Sequence, residues 1–224
     1  MIVPFRRGRR RVAALSAMLA LGVVLALIQP STAATTVSLV PIRQIGARGH
    51  ADVYPWGMAT TLDGKILIAD YWNFRVARYN TDGSFDRQVV GPVWNGAAIH
   101  QAPYGIAVDP RNGDFYFGDV DSGATVDKYT AGGSFIRSVG GPSSGSGAGR
   151  FVYPAYVGVL STGNLVVADS RDNNIVVVNP SGTELFQFGT TNPGRVQTPR
   201  GIAVCHHCGS ATSDLLFVAE ANGR

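Results

Sequence analysis

The chain has 224 residues, 45% of them hydrophobic and 15% charged, with a formal net charge of +4. Residues 1–33 hold five of the 19 basic residues and no acid, so the rest carries 14 basic against 15 acidic side chains; with no basic run left to neutralise a phosphate backbone, nucleic-acid binding is set aside. Two cysteines, Cys205 and Cys208, exclude a disulfide-dense scaffold, so the core must come from packed strands.

The N-terminus reads Arg6-Arg7-Gly8-Arg9-Arg10-Arg11, then an uncharged stretch from Val12 to Ile28, then small residues at Ser31–Ala34. A cationic start, a short apolar run and a small-residue exit are the parts of a secretory signal, with the cut expected after Ala33 and Ala34 as the next choice. The alternative is a retained signal anchor, whose apolar core would be short for a bilayer span of roughly 17–25 residues. Arg10-Arg11 and the residues after them match a twin-arginine signal too loosely to choose an export route. After cleavage no membrane segment is expected, and the mature chain is expected to be secreted or displayed outside the cytoplasm.

A four-fold echo follows. Pro55-Trp56-Gly57-Met58-Ala59 returns as Pro103-Tyr104-Gly105-Ile106-Ala107, as Pro154-Ala155-Tyr156-Val157-Gly158 and as Pro199-Arg200-Gly201-Ile202-Ala203, with the prolines 48, 51 and 45 residues apart. A period in this range marks a repeat architecture in which each unit buries its apolar face against its neighbours. Each unit carries four short β-type runs. In the second these are Gly105–Val108, Phe115–Gly118, Thr125–Tyr129 and Phe135–Gly140, separated by Gly, Asp, Asn and Pro. The first and third units align with it at Ile66–Asp70, Arg75–Tyr79 and Phe85–Val90, and at Leu165–Asp169, Ile175–Val178 and Leu185–Gly189. Asp63-Gly64, Asp82-Gly83 and Asn112-Gly113 supply hairpin turns. The inner runs are almost continuously apolar, as in strands covered on both faces. The outer ones carry Arg87, Arg137 and Gln187, which suits an edge near water. The fold class expected is all-β: a β-propeller of four-stranded antiparallel blades at about 53–91, 101–140 and 152–189, with a truncated one at 197–224.

Several pieces in order resemble the NHL-repeat family, in its secreted bacterial form. They are Pro-x-Gly-Ile-Ala-Val-Asp at 103–109, Ala-Asp-x-x-Asn-x-Arg-Val at 69–76, Ala-Asp-Ser-x-x-Asn at 168–173, and Gly-Ser-Phe at 83–85 and 133–135. The resemblance covers residues 41–224. The family's Arg after the Asn is present at Arg75 and expected at Arg224, replaced by Asn174 in the third unit and missing in the second; Tyr156 replaces the third unit's first glycine. Residues 39–46 resemble a lone outer strand that would close the last blade, and NHL-like rings commonly have six blades. The chain is therefore expected to be a fragment of a longer one, an arc of three blades and part of a fourth.

Cys205-His206-His207-Cys208 lies in an enlarged hairpin. A short Cys205–Cys208 disulfide is the preferred reading in an oxidising compartment, with a zinc site as the alternative. Adjacent histidines fit poorly around one tetrahedral ion with both thiolates, and no metal ligand set is assigned. Trp56, Tyr104, Ala155 and Arg200 open the innermost strands and should gather at one mouth of the central channel. There Trp56 and Tyr104 could stack on a ligand and Arg200 clamp a carboxylate; ordinary packing at the mouth is the plainer alternative. His50 and His100 read as surface residues. Asp70, Asp119, Asp169 and Glu220 end each second strand, and their recurrence points to a structural role, accepting backbone N–H bonds in the following turn. Gly141–Gly149 reads as a flexible connection.

The resemblance implies a binding or protein-interaction scaffold, for a protein or small-molecule ligand. The alternative is an enzyme resembling the peptidyl-hydroxyglycine amidating lyase, or a metal-dependent hydrolase of the sugar-lactone type. The lyase's metal-binding histidine positions hold Trp56, Tyr104, Ala155 and Arg200 here. No cofactor is therefore expected from the visible blades, and zinc or calcium would enter through downstream ones.

Overall fold

The computed structural model describes residues 53–91, 102–121, 123–141, 150–191, 194–206, 208 and 213–222. The leader (1–33), the expected closing strand (39–46), His50, His100, His207, Arg224 and the glycine-rich connection after Gly141 lie outside the described residues. No helix among the described residues is long and apolar enough to cross a membrane.

The strands form three four-stranded antiparallel sheets and one pair. The first sheet is β1 (Pro55–Thr60), β2 (Ile66–Asp70), β3 (Arg75–Tyr79) and β4 (Phe85–Val90). The second is β5 (Pro103–Val108), β6 (Phe115–Asp119), β7 (Thr125–Tyr129) and β8 (Phe135–Gly140). The third is β9 (Pro154–Val159), β10 (Leu165–Asp169), β11 (Asn174–Val178) and β12 (Glu184–Phe188), and the pair is β13 (Pro199–Cys205) with β14 (Leu215–Glu220). In each sheet the strands are ordered as in the sequence, because every connection is a hairpin or short turn. Thr61–Lys65 shows the hairpin chemistry. Gly64 donates to the Thr61 carbonyl at 2.9 Å, and only Gly64, not Asp63, takes a positive φ of 78°. This is a type I turn followed by a left-handed residue, the three-residue hairpin loop.

The period of two decides the packing. On β2, Leu67 and Ala69 pack with Ile106, Phe115 and Phe117 of the second sheet, while Ile68 turns to the opposite face with Ala77 and Tyr79. On β10, Leu165 and Val167 join Tyr116 and Val126 of the second sheet, while Val166 and Ala168 join Val218 of the fourth. β10 is thus covered on both faces by neighbouring sheets, which explains its unbroken apolar sequence, whereas β2 meets a neighbouring sheet on one face and residues of its own sheet on the other among the described residues. The outer strands are exposed: on β12, Phe186 and Phe188 face solvent. The proline-led strands β1, β5, β9 and β13 are neighbours in succession and form the inner wall. They come so close that a Cβ on Gly105 would sit 2.7 Å from the Ala155 carbonyl oxygen and from the Tyr156 Cα.

The Asp series is structural, and its partners include more than the following turn. Asp70 accepts the Tyr54 N–H at 2.8 Å, and Asp169 accepts those of Val152 and Tyr153 at 2.6 and 2.7 Å. These donors stand just before the innermost strand of the same sheet, 16 or 17 residues ahead of the carboxylate in sequence. Antiparallel pairing returns the end of the second strand to the start of the first, so the carboxylate clamps the blade's entry as well as the turn after it, where the Asn73 amide donates to Asp70 at 3.0 and 2.9 Å and the Asp172 N–H to Asp169. Asp119 does both, with longer bonds from Ala102 (3.4 Å) and Asp121 (3.3 Å). Arg75, the repeat's arginine, adds a 2.7 Å ion pair to Asp70. A second adjustment concerns the motif. The register Asp70↔Arg75 and Asp169↔Asn174 puts Asn173 level with Phe74, not with Asn73. Phe74 and Asn173 both hold positive φ, at 51° and 55°, just before the third strand.

Side chains at the far ends of the hairpins latch adjacent sheets together. Arg111 holds the buried Asp109 with Nε and Nη2 at 2.9 and 2.7 Å, and its Nη1 donates to the Thr162 carbonyl of the next sheet at 2.7 Å. Burial raises the Asp109 carboxyl, but the Arg111 hydrogen bonds and charge outweigh it and hold the group below its ordinary value. A lowered carboxyl pKa contributes stability above the unfolded value of about 3.9, and that contribution is lost as pH falls through the folded value. Arg111→Ala is expected to cost about 1–2 kcal/mol at pH 7, as for hydrogen bonds to a charged group. Urea melts across pH should show this difference shrinking toward pH 2; a pH-independent difference would contradict the latch.

Candidate functional site

Each innermost strand begins with a register slip. Pro55 pairs with Asp70 and Gly57 with Ala69, so Trp56 has no partner in the ladder. Pro199 and Gly201 pair with Glu220 and Ala219, leaving Arg200 out, and Pro154 and Tyr156 pair with Asp169 and Ala168, leaving out Ala155. In the second sheet the slip lies between Pro103 and Ile106 and frees Tyr104 with Gly105. A bulge bends the strand, re-aims a side chain and is common beside active sites. The four positions singled out from the sequence are therefore bulge residues at one end of adjacent strands.

Their side chains meet in part. Trp56 and Tyr104 rings lie 4.3 Å apart, and Tyr71 from the short 3₁₀ turn Tyr71–Asn73 approaches them at 5.4 and 5.3 Å. Tyr153 and Tyr156 each stand edge-on to Tyr104 at 5.7 Å. Arg171, in the turn after β10, stacks over Tyr153 at 4.4 Å. Between these groups opens a cleft of about 150 Å³, walled by Tyr104, Tyr153 and Tyr156 with Ala155, and by Ser170, Arg171, Thr198 and Arg200. Tyr104 and Arg200 share this cleft; Trp56 stands beside Tyr104, outside the lining.

The phenols of Tyr71, Tyr104 and Tyr156 stay neutral. Burial, then the hydrogen bond with Tyr153, raises the Tyr104 hydroxyl. Burial and the Asp121 carboxylate, which accepts the Tyr71 hydroxyl at 2.7 Å, push Tyr71 up to about 12. Burial also raises Tyr156, against the opposing charge of Arg200.

One wall is strained. Thr198 precedes a proline and is β-branched, yet its φ is +48°, whereas the pre-proline residues of the other sheets stay out of the left-handed region. The cause is local. Glu220 replaces the Asp of the other units and accepts the Gln197 N–H at 3.1 Å, leaving the Thr198 N–H to the Asn173 side chain of the third sheet at 2.7 Å. Asn222 donates to the Thr198 hydroxyl at 3.2 Å. Strain of this kind gathers at ligand sites and persists where surrounding contacts over-determine it.

The Cys205–Cys208 hairpin lies at the other end of β13 from Arg200. The two cysteines are joined, with Cα atoms 5.7 Å apart. Nearby, His206 Nδ1 and Asp214 are 2.8 Å apart, and Asp214 also accepts the Ser161 N–H and hydroxyl at 2.7 and 2.9 Å. Burial raises the Asp214 carboxyl, but His206 and Ser161 outweigh it and hold it low. No group of three or more His, Cys, Asp or Glu with metal-ligand geometry occurs among the described residues.

Sequence reasoning missed Tyr153, Tyr156 and Arg171. The signal for Tyr156 was its departure from the repeat, since glycine fills that place at Gly57, Gly105 and Gly201. Arg171 sits level with Trp72 in the register of the second and third strands.

No family model matches the chain, and no curated protein does. Among solved structures it is similar to virginiamycin B lyase from Staphylococcus aureus, at 18% identity over 68% of this chain and 46% of that one, with a TM-score of 0.50. A catalytically inactive form of that lyase with quinupristin gives 19% identity, the same coverage and the same score. Hydrazine synthase of Kuenenia stuttgartiensis matches at 15% identity over 76% of this chain and 49% of that one, with a TM-score of 0.50. These likenesses rest on the blades. The fold is that of a β-propeller. The chain spans about half the length of these structures, and at such identities the likeness shows fold alone.

Proposed function

We propose that the chain is an exported NHL-type propeller that works as a binding module, with its ligand at the aromatic channel mouth. The observation that carries this reading is the recurrence of a bulge at the start of four adjacent strands. It delivers Trp56, Tyr104, Ala155 and Arg200 to one end, where Tyr104 and Arg200 enter one cleft. Pockets with an aromatic lining and a few placed polar groups are the ordinary form of ligand sites. Residues 1–33 act as the cleaved leader, so the exported chain begins at Ala34. The test is ligand-observed NMR with phenylacetamide, a neutral aromatic probe. Binding should be lost in Tyr104→Ala, retained in Tyr104→Phe and unaffected by Phe186→Ala on the outer edge, with melts confirming that each variant is folded. Equal binding to all four proteins would sink the reading.

A further inference from the structure

We propose that the cleft takes a planar ring bearing a carboxylate, with the ring against Tyr104, Tyr153 and Tyr156 and the carboxylate on Arg171 and Arg200. The inference rests on the reading of the mouth as a binding site and adds the chemistry of its occupant. Size comes first. An apolar cavity of about 150 Å³ holds benzene, and the cleft has about that volume with three phenol rings on its wall. One ring therefore fills it, and any remainder of the ligand extends into solvent.

Charge comes next. The lining holds two guanidiniums and no carboxylate. Lys65, Arg75, Arg78, Arg111 and Lys128 are all committed to acidic partners. Arg171 and Arg200, like the exposed Arg87, Arg137, Arg150 and Arg195, have no ion-pair partner among the described residues, and of these only Arg171 and Arg200 line the cleft. Arg171 instead sits over the Tyr153 ring at 4.4 Å, a contact that positions the guanidinium without using its N–H donors. An arginine fork matches the two oxygens of a carboxylate in a plane.

A carboxylate fits better than a phosphate because three of the lining's other donors, two of them backbone N–H groups, are already used. Ser170 donates its N–H to the Tyr153 carbonyl at 3.0 Å and its hydroxyl to the Pro199 carbonyl at 2.6 Å. The Thr198 N–H is held by Asn173. Phosphate sites rely on free backbone N–H groups for their additional oxygens, and these two are spent.

The experiment is calorimetric titration of the full chain with phenylacetate, phenylacetamide, phenethylamine and phenyl phosphate at low salt. Phenylacetate should bind at least tenfold more tightly than phenylacetamide. Arg171→Gln/Arg200→Gln should abolish that preference while phenylacetamide binding persists, and 0.5 M salt should weaken the acid alone. A peptide ending in phenylalanine with a free carboxylate, compared with its C-terminal amide, identifies the source. Tighter binding of the acid peptide than of phenylacetate points to a chain terminus, and weaker binding to a free small acid; both support the proposal. Equal affinity for acid and amide, or preference for phenethylamine or phenyl phosphate, overturns it while Tyr104-dependent amide binding still upholds the mouth. No binding of any probe overturns both.

Discussion

Gly118→Ala is expected to destabilise the chain by about 3 kcal/mol, at the upper end for overpacking because the obstacle is backbone. A Cβ at Gly118 would fall on the Pro154 carbonyl oxygen of the next sheet, which cannot rotate away as a side chain could. The corresponding residues of the other units are Ala69, Ala168 and Ala219, so the methyl group is acceptable in three blades and excluded from one. In the second blade the slip sets Tyr104 and Gly105 against an unpaired Gly118, whereas in the others the equivalent alanine stays paired in the ladder. The reverse change, Ala69→Gly, should cost about 0.5–1 kcal/mol through backbone entropy, with a further loss for the buried methyl. Urea midpoints for the two variants measure the asymmetry. Pro154 lies between Tyr153 and Ala155, so Gly118→Ala should also weaken phenylacetamide binding well before it unfolds the chain. A cost below about 1 kcal/mol would mean that the two sheets move apart easily and that the cleft wall is soft.

How far the sequence could be read follows from the repeat. Apolar runs bounded by Gly, Asp, Asn and Pro, with the spaced prolines, placed the strands of the three four-stranded sheets to within one or two residues, because sheet packing repeats with the sequence. The mouth was legible as far as it repeats: Trp56, Tyr104, Ala155 and Arg200 occupy one position in each unit. The cleft itself is built from exceptions. Tyr156 stands where other units have glycine, and Thr198 is strained because Glu220 stands where they have aspartate. Arg171 reaches Tyr153 from the end of another strand in the same sheet, a contact that no local pattern encodes. The Asp series was read correctly as structural and as binding the following turn, but its other donors are 16 or 17 residues upstream, and only the antiparallel pairing reveals those. Departures from a repeat thus carried more about the site than the repeat did, which is where local rules are expected to break.

Asp169→Ala is expected to cost about 2–4 kcal/mol, because it strands two part-buried N–H groups, each in the lower part of the roughly 1–3 kcal/mol of a buried one. Asp169 is fully buried and accepts both Val152 and Tyr153 at the entry to β9. Losing it should free the segment that carries Tyr153, the ring on which Arg171 rests. The pH dependence distinguishes this clamp from simple packing. Burial raises the Asp169 carboxyl, and the two N–H bonds offset only part of that. The folded state therefore holds this proton more tightly than the unfolded chain does. Its contribution is fullest below the unfolded value of about 3.9 and declines as pH rises through the folded value. The gap between the natural chain and Asp169→Ala should accordingly widen as pH falls through that window, opposite in sign to the gap for Arg111→Ala. Since the protonated acid still accepts a hydrogen bond through its carbonyl oxygen, acid alone does not undo the clamp. Parallel urea melts of the two variants from pH 7 to pH 3 read both slopes at once. Slopes of the same sign would show that the carboxyl's environment, and with it the anchoring of the cleft's tyrosine wall, differs from the one described.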